Sequence, residues 1–150
     1  MRKYDLIVVG AGAAGLIAAG KAAERGKEVL LLEKNEQVGK KILMTGKGRC
    51  NLTNDCEIEE MIKNFPETGK FLYSALYSFS NWQLRSFFAD LGVETKVERG
   101  DRVFPVSDSA ADVVKALERY IKEAGVELKL QAKVETILAK EEKVRGVRLD

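Results

Sequence analysis

The chain contains no histidine, two cysteines, two prolines and one tryptophan among its 150 residues. Each scarcity removes a class of chemistry. Without imidazole, Ser–His and Cys–His triads are excluded within this chain, as is any His-ligated metal centre, and no metal site is expected. Acid–base chemistry would fall to carboxylates, Lys, Tyr or Cys, and redox work to a bound cofactor. Cys50 and Cys56 are too few for a disulfide scaffold and fit a reducing compartment, so a cytoplasmic location is the expectation. No stretch reaches the ~20 uninterrupted apolar residues of a bilayer span, and no membrane partner is expected. The apolar run at residues 6–20 follows Arg2 and Lys3 like a secretory signal, but Asp5, Gly10, Gly12 and Gly15 break that pattern. Excess charge is missing too. With 25 basic against 23 acidic side chains the net charge is +2, which argues against a general nucleic-acid binder.

What is present is an α/β pattern. Residues 4–9 (YDLIVV) form a short β-branched run that reads as a buried parallel strand. Glycines follow, then residues 13–25, rich in alanine, predict a helix that Gly26 stops. Residues 28–33 (EVLLLE) predict a second buried strand, completing a strand–helix–strand unit with a right-handed crossover. Residues 34–56 show no periodicity and carry Gly39, Gly46 and Gly48; a loop that long inside a compact domain points to function. Helices are expected at 80–91, where Ser80 and Gln83 have capping-box spacing, and at 109–124, with Ser109 and Asp112 in the same relation. Short strands are expected at 93–97 and 102–104, and further strands at 126–130, 133–139 and 144–149, the last group reading as a β-meander. Trp82, Phe87, Phe88 and Leu91 recur at helical spacing and read as core.

The chemistry concentrates at Gly10-Ala11-Gly12-Ala13-Ala14-Gly15, a G-x-G-x-x-G run that follows a strand and opens a helix. Gly10 permits the tight turn, Gly12 lets the backbone approach a pyrophosphate, and Gly15 lets helix and strand pack closely. The N–H groups at the start of the helix, around Ala13 and Ala14, present partial positive charge to phosphate. Ala19 keeps the helix–strand interface thin. Glu33, at the end of the second strand, would accept hydrogen bonds from ribose hydroxyls and repel a 2′-phosphate; Lys34 beside it belongs to the same site. Both FAD and NAD fit this unit. Gly46-Lys47 does not make a P-loop, because Gly48 stands where a magnesium-binding Ser or Thr is required. Lys40, Lys41, Lys47 and Arg49 lack the interleaved aromatics of an RNA-binding strip. Cys50 reads as a small packing residue of the loop.

The long loop separates the two dinucleotides. Val38-Gly39-Lys40-Lys41 resembles the V-G-G-R element of many FAD enzymes, with Lys41 in place of the phosphate-contacting arginine. The run GKKILMTGKGRCNLTN at 39–54, with RVFPVSDSAADVV at 102–114, resembles a bacterial FAD flavoprotein family. Its members are NAD(P)/FAD-dependent oxidoreductases, among them aminoacetone-oxidase-like and bile-acid-reductase-like proteins. The resemblance spans essentially the whole chain. It implies a Rossmann-like FAD-binding domain of glutathione-reductase type, with a parallel sheet, helices and a β-meander. It implies that residues 34–56 form a flavin-contacting loop, with Thr45, Gly46, Gly48, Arg49 and Asn51 near the flavin half, and that the backbone of Val134 holds the adenine. It also implies a longer protein, of which residues 1–150 are the N-terminal part of the domain, the inserted domain and C-terminal glycine-rich segment lying outside them. The expected activity is that of an FAD-dependent oxidoreductase acting on a small-molecule substrate, with NAD(P)H a candidate electron donor. Three alternatives stand beside it: an NAD-dependent dehydrogenase, a non-catalytic cofactor-binding fragment, and a flavin-bearing RNA-binding protein. No catalytic residue is assigned.

Overall fold

The computed structural model describes residues 3–65 and 67–150. The chain divides into two compact units, Met1–Ile42 with Leu117–Asp150, and Leu43–Ala116.

The first unit is built on three parallel strands. Strand β1 (Leu6–Val9) pairs with β2 (Val29–Leu32), and β2 pairs with β6 (Glu127–Lys129). Helix α1 (Ala13–Ala23) connects β1 to β2 and buries Leu16, Ala19 and Gly20. The helix ends where expected: Glu24 caps it, and Gly26 adopts φ +74°. In β2, Val29, Leu31 and Leu32 are buried, which is why that run is almost purely apolar. The expected burial of residues 4–9 is corrected by their place in the sheet: β1 lies at its edge, and Leu6 and Val9 are exposed. Residues 126–130 are also reassigned, since β6 extends the parallel sheet through backbone pairing with β2. The remaining strands, β7 (Val134–Lys140) and β8 (Lys143–Leu149), form a separate antiparallel hairpin, with Glu141 and Glu142 in left-handed conformation at its turn.

In the second unit, β3 (Thr53–Asn54), β5 (Arg102–Pro105) and β4 (Thr95–Glu98) make an antiparallel sheet in that order. Helix α5 (Asn81–Asp90) opens with the expected capping box: Ser80 Oγ accepts from Gln83 N–H, and the Gln83 side chain accepts from Ser80 N–H. On this helix Phe88 is buried, but Trp82 is 56% exposed, which corrects its reading as core. At 3.6 residues per turn Trp82 lies about 120° round the helix from Phe88, so it falls off the buried face. Helices α3 (Ile58–Lys63) and α4 (Tyr73–Ser78) have no counterpart in the sequence reading, each being too short to establish a period. Between residues 34 and 56 the loop is partly ordered into α2 (Lys40–Met44) and a tight turn at Thr45–Gly48. Helix α6 (Ala110–Glu123) follows Ser109, whose Oγ accepts from Asp112 N–H at 3.4 Å. Of the apolar face that helical spacing assigns to residues 109–124, Val113, Val114, Leu117, Tyr120 and Ile121 are buried, while Ala124, beyond the last helical residue, is half-buried. Among the described residues no helix is long and apolar enough to cross a membrane.

Candidate functional site

The glycine turn grows out of the β1–β2 ladder. Gly10 takes φ +98°, a conformation open to glycine at little cost, while its N–H donates to the Leu32 carbonyl at 2.7 Å. Gly12 is the N-cap residue of α1, in extended conformation, and no side chain caps the helix. No acidic residue stands in the first turn. The helix therefore begins with N–H groups that no side chain caps and no acidic residue of its own first turn faces, an arrangement that can receive an anion.

The three glycines divide the work. A Cβ added at Gly15 would lie 1.9 Å from the Gly10 carbonyl oxygen and 3.4 Å from Val8 Cγ1, so this glycine is required for the helix to reach the strand. A Cβ at Gly12 would meet nothing within 4 Å. The space beside Gly12 is left open by the protein itself, which fits a group that approaches the backbone there.

Glu33 is buried, at 7% exposure, and is held from two sides. Its Oε2 accepts the Ala11 N–H at 2.7 Å; its Oε1 accepts the Asn35 N–H at 2.9 Å and the Asn35 side-chain amide at 2.6 Å. Burial pushes the carboxyl upward, but these hydrogen bonds, with Lys34 nearby, outweigh it and hold the group below the usual range. Glu33 is thus ionised and already part of the glycine turn. Around it, the Gly39 N–H donates to the Ala11 carbonyl (2.8 Å), the Ala132 N–H to the Glu33 carbonyl (2.8 Å), and the Gln131 N–H to the Asn35 carbonyl (3.0 Å). Those last bonds pin the chain just before half-buried Val134, which opens β7 opposite Leu149. Lys34 and Lys41 are exposed. The structure therefore brings Gly10, Gly12, Ala13, Ala14, Gly15 and Glu33 together around one turn. Asn35 is the participant that sequence reasoning missed; an Asn two residues beyond the acidic residue was the available signal.

The part of the basic loop from Leu43 onward belongs to the second unit and has a different construction. Gly46 (φ +55°), Lys47 (+58°), Gly48 (+84°) and Cys50 (+63°) are all left-handed. The turn closes on itself, the Arg49 N–H donating to the Gly46 carbonyl (3.3 Å) and the Cys50 N–H to the Thr45 carbonyl (3.1 Å). Arg49 forms a fork with Glu98 at 2.9 and 3.1 Å, reaches Asp108 at 3.1 Å, and stacks on the Phe104 ring at 4.0 Å. Lys96 joins the same acids, at 2.6 Å from Asp108 and 3.5 Å from Glu98. The Arg49 fork and Lys96 hold Glu98 below the usual carboxylate range, while Lys96, with Arg49, does the same for Asp108. The Asn51 amide lies 3.0 Å from the Thr53 carbonyl and 3.2 Å from that of Val103, both reached by its NH₂ group as donor. Cys50 is buried, and burial pushes its thiol upward, which fits a packing residue and not a reactive thiolate.

A glycine turn between a parallel strand and an uncapped helix, with an ionised acid at the end of the next strand, defines a Rossmann dinucleotide-binding domain. Over residues 4–150 the chain matches the model of the HI0933-like protein Rossmann domain, and it belongs to that family. It is 38% identical over 132 residues to the 3-dehydro-bile acid delta(4,6)-reductase of Clostridium scindens, covering 87% of this chain and 32% of the relative. It is 32% identical over 151 residues to the ribosomal RNA dihydrouridine synthase of Haemophilus influenzae, covering 98% of this chain and 37% of the relative. The chain thus spans about a third of the length of these relatives. Among solved structures, the open conformation of a flavocytochrome c3 fumarate reductase superposes with a TM-score of 0.66 at 22% identity. That match covers 95% of this chain and 29% of the other, and it bears on the fold.

Proposed function

We propose that this chain is the N-terminal part of the FAD-binding domain of an FAD-dependent oxidoreductase. The inserted domain and a C-terminal segment would lie beyond residues 1–150. The observation that carries the reading is the pairing of an open Gly12 with a buried, ionised Glu33 at one turn. In this reading Gly10, Gly12 and Gly15 shape the turn, and the N–H groups at the start of α1 (Ala13, Ala14, Gly15) neutralise the pyrophosphate. Glu33 accepts from the adenosine ribose, Lys34 and Lys41 add positive charge, and the Val134 backbone faces the adenine. Thr45, Gly46, Gly48, Arg49 and Asn51 serve the flavin half, as the resemblance to the flavoprotein family suggests. FAD, when bound, supplies the ability to take up and pass on hydride or electrons. The residues of this chain bind and orient it.

The substrate is proposed to be a small molecule and the reductant NAD(P)H, in the cytoplasm. The bile-acid reductase among the relatives supports a small-molecule substrate. The ribosomal RNA dihydrouridine synthase favours a second reading, an RNA substrate for the full protein. Denaturing the purified full-length protein and identifying the released nucleotide tests the cofactor: FAD is expected, and a nicotinamide nucleotide without flavin would overturn the proposal. Reoxidation of the NAD(P)H-reduced protein by a conjugated steroid enone, compared with ribosomal RNA, separates the two substrate readings.

A further inference from the structure

We infer that Asn35 is a specificity-determining residue that limits Glu33 to a single ribose hydroxyl. The inference rests on the proposed role of Glu33 and concerns what remains of its accepting capacity. An ionised carboxylate offers two oxygens with about four acceptor positions in all. Glu33 Oε1 already receives two donors, both from Asn35: the backbone N–H at 2.9 Å and the side-chain amide at 2.6 Å. Among the described residues Oε2 receives one, the Ala11 N–H at 2.7 Å. One position on Oε2 is left for a ligand.

Asn35 is itself fixed in that pose. Its carbonyl accepts the Gln131 N–H at 3.0 Å, and Lys40 Nζ lies 3.5 Å from its Oδ1, which turns the NH₂ end toward Glu33. Asn35 and Lys40 also line a polar cavity of about 240 Å³ with Glu36, Gln37 and Gln131. A carboxylate with both oxygens open could take the two vicinal hydroxyls of a ribose together. With Oε1 filled, Glu33 accepts from one of them only.

The test uses the full chain freed of bound nucleotide and calorimetric titration with ADP, 2′-deoxy-ADP and 3′-deoxy-ADP. In the unsubstituted protein, one deoxy analogue should bind about tenfold more weakly than ADP, the size expected for a lost hydrogen bond to a charged acceptor, and the other about equally to ADP. Asn35→Ala keeps the backbone N–H but removes the amide donor, so discrimination against the second analogue should appear. Asn35→Ser repeats the comparison with a smaller perturbation should the alanine variant lose its circular dichroism. Equal weakening of both analogues in the unsubstituted protein, or an unchanged pattern in the variants, would overturn the role of Asn35. If neither analogue is weakened, the ribose assignment of Glu33 fails instead.

Discussion

The glycine turn and the basic loop carry similar sequence signals, glycines at short spacing beside charged residues, yet they are finished differently. At the turn, Gly10, Ala11 and Glu33 are bonded within the protein, but α1 starts without a side-chain cap and nothing fills the space beside Gly12. In the loop, the polar groups are answered from within. Arg49 is neutralised by Glu98 and Asp108, and the turn's N–H groups return to the carbonyls of Thr45 and Gly46. Gly15 and Gly46 sit against their own chain, where the fold demands closeness, whereas Gly12 combines open space with an uncapped helix start and an adjacent buried carboxylate. Left-handed backbone at Lys47 and Cys50, neither of them glycine, shows the loop held against its local preference by these contacts.

Substitutions can break this contrast in graded steps. The largest effect is expected for Gly15→Ala, whose methyl would lie 1.9 Å from the Gly10 carbonyl oxygen. Overpacking against backbone of this severity should cost roughly 3 kcal/mol or more in urea unfolding. Gly46→Ala comes next, at about 2–3 kcal/mol. Its methyl would meet the Asn51 nitrogen at 2.8 Å and Phe104 Cε1 at 2.9 Å, in a left-handed conformation that alanine disfavours. Arg49→Lys keeps the charge but gives up both the fork to Glu98 and the ring stacking, so limited proteolysis should cut the loop at 45–51 faster while the global unfolding midpoint moves little.

A smaller effect is expected from pH. Because Glu33 is held below its usual range in the folded chain, its contribution is present above the unfolded carboxylate value near 4.5 and is lost as pH falls through the folded one. Thermal midpoints should therefore decline on acidification below that value, and less steeply in Glu33→Gln. An identical acid limb in the two proteins would show that the buried carboxylate contributes nothing to this dependence.

Much of the first unit was legible in the sequence because its signals are local. Residues 4–33 place apolar strands, three glycines, an alanine-rich helix and an acid in consecutive order, and the structure follows that order. The helix stop at Gly26 and the capping box at Ser80 and Gln83 are equally local. What was not legible depends on partners distant in sequence. The hydrogen bond from Ala11 to Glu33 spans 22 residues, and the Arg49 contacts to Glu98 and Asp108 span 49 and 59. The exposed edge of β1 and the capture of Glu127–Lys129 by the parallel sheet are likewise set by strand order, which an apolar run does not encode. Helices α2, α3 and α4, of five or six residues each, are too short for hydrophobic period to distinguish them from loop.

The most direct test of the account is cofactor retention by Gly12→Val in the full-length protein. The space beside Gly12 is empty of protein, and its extended backbone suits a β-branched residue, so far-UV circular dichroism and the urea midpoint should stay near those of the parent. The added side chain would occupy the space assigned to the pyrophosphate. The account predicts that the folded variant is purified without FAD. A folded Gly12→Val protein that retains FAD as fully as the parent would contradict the assignment of this turn to the cofactor.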